Sequence, residues 1–298
     1  MNDSEHPDTG ASPAAQSRYR LLLIQGFRLP AESAYLHRKL TGPKEQTVMD
    51  YPLIAPLLEG VDWEIHPGAP TTYGDWPVEN RQEFMDSGAA RLPIVREACE
   101  SGRHNAIVLL GGGEPGFQEA REIARPFGIP VTSCAFSQMH VASMLGNRFS
   151  IIDLAESHSM YYYDLVVRHR MTERCASLRM INFPHERPGA DPGRPLHEER
   201  KKARAGERSD AVEEAVAEAV AAIEEDGAEV IFFSCSGLFW LQPFVQQRLD
   251  DLGWEVPVLH GYKCAISHAK MMIDLGVDAS GLMFPPARPR RWRRKRLF

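Results

Sequence analysis

The residue best placed to do chemistry is Cys235, in the stretch Ala228-Glu229-Val230-Ile231-Phe232-Phe233-Ser234-Cys235-Ser236-Gly237. An apolar run leads there into a turn of small polar residues with a thiol on it. A short apolar run closed by a glycine signal reads as a buried parallel strand. Ligands in open α/β sheets collect at the carboxyl ends of such strands. With a helix after Gly237, the thiol would sit near its positive end, where the thiolate is favoured. On residue type alone, a buried structural cysteine is the commoner case.

A second turn with chemical potential is Gly111-Gly112-Gly113, which ends the run Ala106 to Leu110 and precedes a helix. Three glycines free the backbone to point N–H groups at an anion, and the helix behind them adds positive potential. No Gly-Lys-Ser/Thr follows, so it is not a P-loop, and GxGxxG does not fit. An oxyanion or carboxylate cradle and a plain tight turn remain open. Among the eleven histidines, His140 and His260 follow strand ends and can face a cleft, although each alone is more often structural. His104, His169 and His185 are expected at the surface. No HxH, HExxH or Asp/His spacing typical of a metal site occurs, so metal-free chemistry is expected. Of Tyr161, Tyr162 and Tyr163, on one predicted helix, only one or two can be buried.

These residues need a scaffold of alternating strands and helices. Strands are predicted at Arg20–Gly26, Trp63–His66, His104–Leu110, Ile129–Cys134, Phe149–Asp153, Ala228–Phe233 and Val256–Leu259, with a short apolar stretch over Leu178–Phe183. Helices are predicted between them, including Asn80–Glu100 with Phe84, Ala89, Leu92, Val95 and Ala98 on one side. Strand–helix alternation throughout means parallel α/β architecture. Asn105–Gly116 and Glu229–Gly237 echo each other, as two similar halves facing one cleft would. Residues 1–18 are polar and expected to be disordered. Residues 184–209 turn to Pro, Gly, Arg, Glu and Lys and read as a solvated insertion. The tail from Arg288 carries six arginines and one lysine in eleven residues. It reads as a solvated extension or a subunit contact.

The 298 residues carry a net charge of -6, 43% hydrophobic and 25% charged residues, which is ordinary globular composition without a nucleic-acid footprint. Five scattered cysteines without a CxxC pair fit reduced thiols in the cytoplasm. No membrane span or signal peptide is evident.

Four segments, taken in order, resemble the Asp/Glu/hydantoin racemase family, and its hydantoin racemase branch most of all. They are His66-Pro67-Gly68-Ala69-Pro70 with Tyr73 to Arg81, Gly113-Glu114-Pro115-Gly116-Phe117-Gln118-Glu119-Ala120-Arg121-Glu122, Met139-His140 with Leu145 to Ser150, and Ser234-Cys235-Ser236-Gly237 with Pro257 to Gly261. The resemblance implies two similar Rossmann-like lobes with parallel sheets and an active site in the cleft between them. Lobe 1 would take 19–133 and about 245–280, and lobe 2 would take 134–244. It also implies chemistry without a cofactor on a small carboxylate or hydantoin-like substrate, with no nucleic-acid or membrane partner; a homo-oligomer is left open. Two cysteines would trade a proton at the carbon next to a carbonyl, and Cys235 falls on the second of them. Gly111 stands where the first is expected.

The substitutes for the missing acid/base are His140, Cys134 and Glu114. Substrate contacts are expected from Gly111, Gly112, Gly113, Ser234, Ser236, Gly237, Pro70 and His260, with Arg28 as a carboxylate clamp in place of the family's first turn. Glycine at the first position with only the second cysteine kept is the pattern of arylmalonate decarboxylase. There a single thiol protonates an enediolate. Racemase-type isomerase, decarboxylase and non-catalytic binding protein are thus the three functional expectations.

Overall fold

Leu21, Leu22, Leu23 and Ile24 are at most 6% exposed, so the strand they form, β1 (Arg20–Ile24), is covered on both faces. An uninterrupted apolar run is what such a strand in a parallel sheet requires. The computed structural model describes residues 17–190, 193–285 and 291. The tails expected over 1–18 and 287–298 therefore lie almost wholly outside the described residues.

In chain order β1 is followed by α1 (Lys44–Thr47), α2 (Tyr51–Leu58), β2 (Asp62–His66), α3 (Arg81–Ser101), β3 (Ala106–Leu109), α4 (Phe117–Ala124), β4 (Val131–Ser133) and α5 (Cys134–Leu145). Then come β5 (Phe149–Asp153), α6 (Glu156–Arg168), β6 (Cys175–Met180), α7 (Leu196–Arg204), α8 (Asp210–Glu224), β7 (Val230–Phe233), α9 (Gln242–Asp251), β8 (Val258–Leu259) and α10 (Gly261–Leu275). A six-residue 3-10 turn, Ser236–Leu241, leads from β7 into α9. Among the described residues no helix is long and apolar enough to cross a membrane.

Two four-stranded parallel sheets result, ordered β2-β1-β3-β4 and β6-β5-β7-β8. The connectivity is the same in both halves, so the turns after β3 and β7 are topological counterparts. One carries Gly111–Gly113 and the other Cys235. The expected α/β fold of two similar parallel lobes is what the strands form.

Each half lends its last helix to the other. Helix α5, after β4, packs on β5 and β7, whereas α10, after β8, packs on β3, β4 and α5. Because β8 hydrogen-bonds β7 and α9 packs on α8 and β8, that part of the chain sits with the second sheet. Assigning all of 245–280 to the first lobe disagrees with this pairing. The return to the first sheet begins at α10.

Helix α3 starts at a capping box, in which Asn80 accepts from the Glu83 amide and the Glu83 carboxylate accepts from the Asn80 amide. Its buried face differs from the predicted one. Ala89 is exposed, and Arg91 fills that turn fully buried. The Arg91 guanidinium donates to the carbonyls of Ile24 (3.0 Å), Gln25 (3.2 Å), Pro115 (3.2 Å) and Leu110, tying the ends of β1 and β3 together. Tyr161 and Tyr162 are buried and Tyr163 is 51% exposed, as helical spacing demands.

The polar segment 184–209 is not a bare loop. Glu198 and Glu199 open α7, while Lys201, Lys202 and Arg204 close it, an arrangement that suits the helix dipole. Glu199 is buried and accepts from the Ser209 hydroxyl (2.9 Å) and the Ala211 amide (3.3 Å), so α7 caps α8. Arg187 reaches across to Glu83 at 2.7 Å and fastens the insertion to the first lobe.

Candidate active site

The two counterpart turns meet. A Cβ placed on Gly112 would lie 1.6 Å from the Ser234 carbonyl oxygen and 2.9 Å from the Cys235 Cα. Only glycine allows this approach. A Cβ on Gly113 would likewise overlap the Phe84 ring, at 2.3 Å. Gly111 has room for a Cβ, its nearest neighbour being Gly26 at 3.5 Å, but its φ of +103° disfavours any side chain.

Beside this junction lies a cavity of about 180 Å³. The wall is largely apolar, from Phe27, Leu29, Leu36, Met49, Val78 and Trp240. Gly111–Gly113 and Cys235–Gly237 form one edge, and Pro184, His185, Leu196 and Arg200 of the insertion form another. The amides of Gly112 and Gly113 make no hydrogen bond among the described residues. They are free to meet an anion.

Cys235 is 8% exposed, and its Sγ lies 3.6 Å from Nε2 of His185. The Gly237 amide donates to the same sulfur at 3.4 Å. Behind the thiol, His158 Nδ1 lies 2.9 Å from an Oδ of Asp153, which is fully buried at the end of β5. Burial alone would drive the Cys235 thiol up, but the positive charge and hydrogen bonds of His185 and His158 outweigh it and bring it down to about 6. Burial likewise opposes protonation of His158, and the Asp153 carboxylate reverses this and holds the imidazolium well above the usual histidine range. The arrangement is a buried carboxylate, a histidine ring and a cysteine sulfur in line, with a second histidine ring on the sulfur.

The other expected residues divide clearly. Ser236 and Gly237 line the cavity with the glycine turn, and Ser234 is buried just beneath it. Arg28 and Pro70 are both exposed, and they pair through backbone contacts away from the cavity lining. His260 is buried against Phe239 and Tyr262, outside the lining, and burial lowers it to about 3. Cys134 is fully buried on the Leu109 carbonyl, which it meets at 3.8 Å, and burial pushes its thiol upward. Glu114 is 1% exposed; it accepts from Ser133 (2.5 Å), the Phe136 amide (2.9 Å) and His169. His140 donates to the Phe136 carbonyl at 2.7 Å. None of these last three lines the cavity.

Three histidines expected at the surface lie elsewhere. His104 and the His169 side chain are buried, beside Glu64 and Glu114 respectively, and His185 faces the thiol. His158 drew no attention in the sequence, although its place five residues after Asp153, in the first turn of the helix following β5, was a usable signal. Among the described residues two side-chain groups have the donor atoms to hold a metal ion, and neither obeys a sequence spacing rule. The ligand atoms of His158, His185 and Cys235 lie within 4.8 Å of one another, as do those of His37, Glu186 and His197.

The two-lobed sheet topology and the thiol at the lobe junction define a class, and comparison with known proteins gives it a name. The family model for Asp/Glu/Hydantoin racemase matches residues 64–269, and the chain belongs to that family. It is 29% identical over 197 residues to hydantoin racemase of Pseudomonas sp. (strain NS671), covering 64% of this chain and 68% of that one. With hydantoin racemase of Paenarthrobacter aurescens it shares 28% over 199 residues, 66% and 74% of the two chains. The fold matches allantoin racemase from Klebsiella pneumoniae with a TM-score of 0.64 at 21% identity, over 93% of this chain and 97% of that one. It also matches arylmalonate decarboxylase, with a TM-score of 0.50 at 15% identity, over 85% and 92%.

Proposed function

We propose that this protein is an isomerase of the racemase type, moving a proton at a carbon next to the carbonyl of an amino-acid- or hydantoin-like substrate without a cofactor. The observation that carries this is the Cys235 thiol, poised near neutrality at the cavity edge with His185 3.6 Å away. A general base works best with a pKa close to the working pH. The thiolate takes the α-proton, and the charge that grows on the carbonyl oxygen is received by the free amides of Gly112 and Gly113. For the carbon to invert, the planar enolate turns its other face to Cys235 before the proton returns, and passage of the proton to His185 gives exchange with solvent.

A second reading is favoured by Gly111. The facing turn offers no side chain there, and the acid/base groups next to Cys235, namely His158 and His185, both come from the second lobe. Protonation from one face alone fits a decarboxylase, in which loss of carbon dioxide makes the carbanion and Cys235 only donates to it.

Turnover in deuterated water separates the two. An isomerase washes deuterium into the α-position of recovered substrate, whereas a decarboxylase places it only in product. A panel of hydantoins, amino acids and malonates showing neither exchange nor turnover would overturn both and leave a binding protein.

A further inference from the structure

The cavity rim holds a second cluster that proton transfer at Cys235 does not use. His37 comes from the first-lobe segment between β1 and α1, while Glu186 and His197 come from the insertion, His197 from the first turn of α7. His37 Nε2 and His197 Nδ1 each lie 2.9 Å from the same Oε2 of Glu186, and the two rings stack 3.6 Å apart. The remaining ring nitrogen of His197 lies 2.9 Å from an oxygen of Glu198.

We propose that His37, Glu186 and His197 form a binding site for a divalent cation of the zinc type, bridging the insertion and the first lobe. Two imidazoles and a carboxylate are a donor set that zinc and its neighbours in the first transition row accept. Ligands about 2.0–2.1 Å from a tetrahedral ion stand about 3.4 Å apart, so on binding the 2.9 Å contacts of Glu186 with the two imidazoles lengthen by about 0.5 Å and the stacked rings turn their nitrogens toward the ion. Glu198 takes the place of the outer carboxylate that orients a metal-bound imidazole. An ion on Nδ1 of His197 leaves an N–H on Nε2 to donate to Glu198. Side-chain exposures of 32%, 26% and 19% for His37, Glu186 and His197 leave room for water at the other coordination positions. Bound there, the ion would cross-link the 184–209 segment to the first lobe at the mouth of the cavity.

The test is a zinc titration of the full chain after chelator treatment, with binding followed by calorimetry and the melting temperature read alongside. Because Cys235 with His158 and His185 is a competing ligand set, the comparison includes Cys235→Ser. One ion per chain is expected in the unmodified protein and in Cys235→Ser, with affinities within about threefold and a raised melting temperature in both. Glu186→Gln and His37→Asn should weaken binding by at least about 100-fold and abolish the thermal shift, and Glu198→Gln should weaken it about 10–100-fold. Circular dichroism confirms that each variant is folded. Binding that disappears in Cys235→Ser but survives in Glu186→Gln places the ion on the thiolate and overturns the proposal. Absence of binding at micromolar zinc overturns it as well.

Discussion

The backbone of Gly112 lies so close to Ser234 that a Cβ on the glycine would stand 1.6 Å from the serine carbonyl oxygen. The two lobes therefore touch through bare backbone at the place where the thiol is presented. Gly112→Ala must push the lobes apart or distort the Cys235 turn. The expected result is a loss of turnover of at least 100-fold, since small misplacements near reacting groups are costly. Gly111→Ala meets only backbone strain, of about 1–2 kcal/mol, and should retain more activity. Steady-state kinetics of the pair check this, and equal effects would refute the geometric account.

Cys235→Ala is expected to remove α-proton exchange, a fall of about 10²–10⁴-fold from a lost acid/base. Its circular dichroism should match the unmodified protein. Proton NMR in deuterated water measures the exchange directly, and retained exchange would take the thiol out of the mechanism.

The pH dependence follows from the thiol's position near 6. Alkylation of Cys235 by iodoacetamide should rise through about pH 6 and level off above 7. His185→Asn should move that midpoint up by about one unit or more, because the nearest positive partner is gone. The stability sign is also fixed. A thiol with a lower pKa folded than unfolded adds stability at high pH, and that contribution is lost as pH falls through about 6.

Asp153→Asn removes the carboxylate that holds His158 protonated. Breaking a buried ion pair from one side costs about 3–5 kcal/mol. For a chain of this size the melting temperature should drop by roughly 6 °C or more. The Cys235 alkylation midpoint should rise in the same variant. Calorimetry and alkylation kinetics together check it, and an unmoved midpoint would show that His158 does not act on the thiol.

Glu114 was an expected acid/base, and the structure gives it three hydrogen-bond donors and no place on the cavity wall. Glu114→Gln should lower the melting temperature by several degrees and change turnover by less than about threefold. A 100-fold loss of turnover at unchanged stability would return Glu114 to the chemistry.

The fold was legible because buried parallel strands need apolar runs, and β1, β3 and β7 each show one ending in a turn. Cys235 was legible for the same reason. His185 was hidden by its neighbours, since a Pro-Gly-Arg-Glu-Lys segment reads as solvated on composition, and only the anchoring of Arg187 on Glu83 and of α7 on α8 brings it inward. His260 misled in the opposite sense. It follows a strand end, but the ring is packed under Phe239 and Tyr262, outside the cavity. Side-chain direction at a strand end depends on packing that spacing does not encode.

Arg91 gives the site a further property. Its guanidinium is spent on carbonyl oxygens, and one of its nitrogens stands 3.9 Å from where a Gly111 Cβ would be. A fixed cation thus lies beneath the glycine turn without touching whatever enters above it. The field felt at the glycine turn is set when the chain folds, before any ligand arrives.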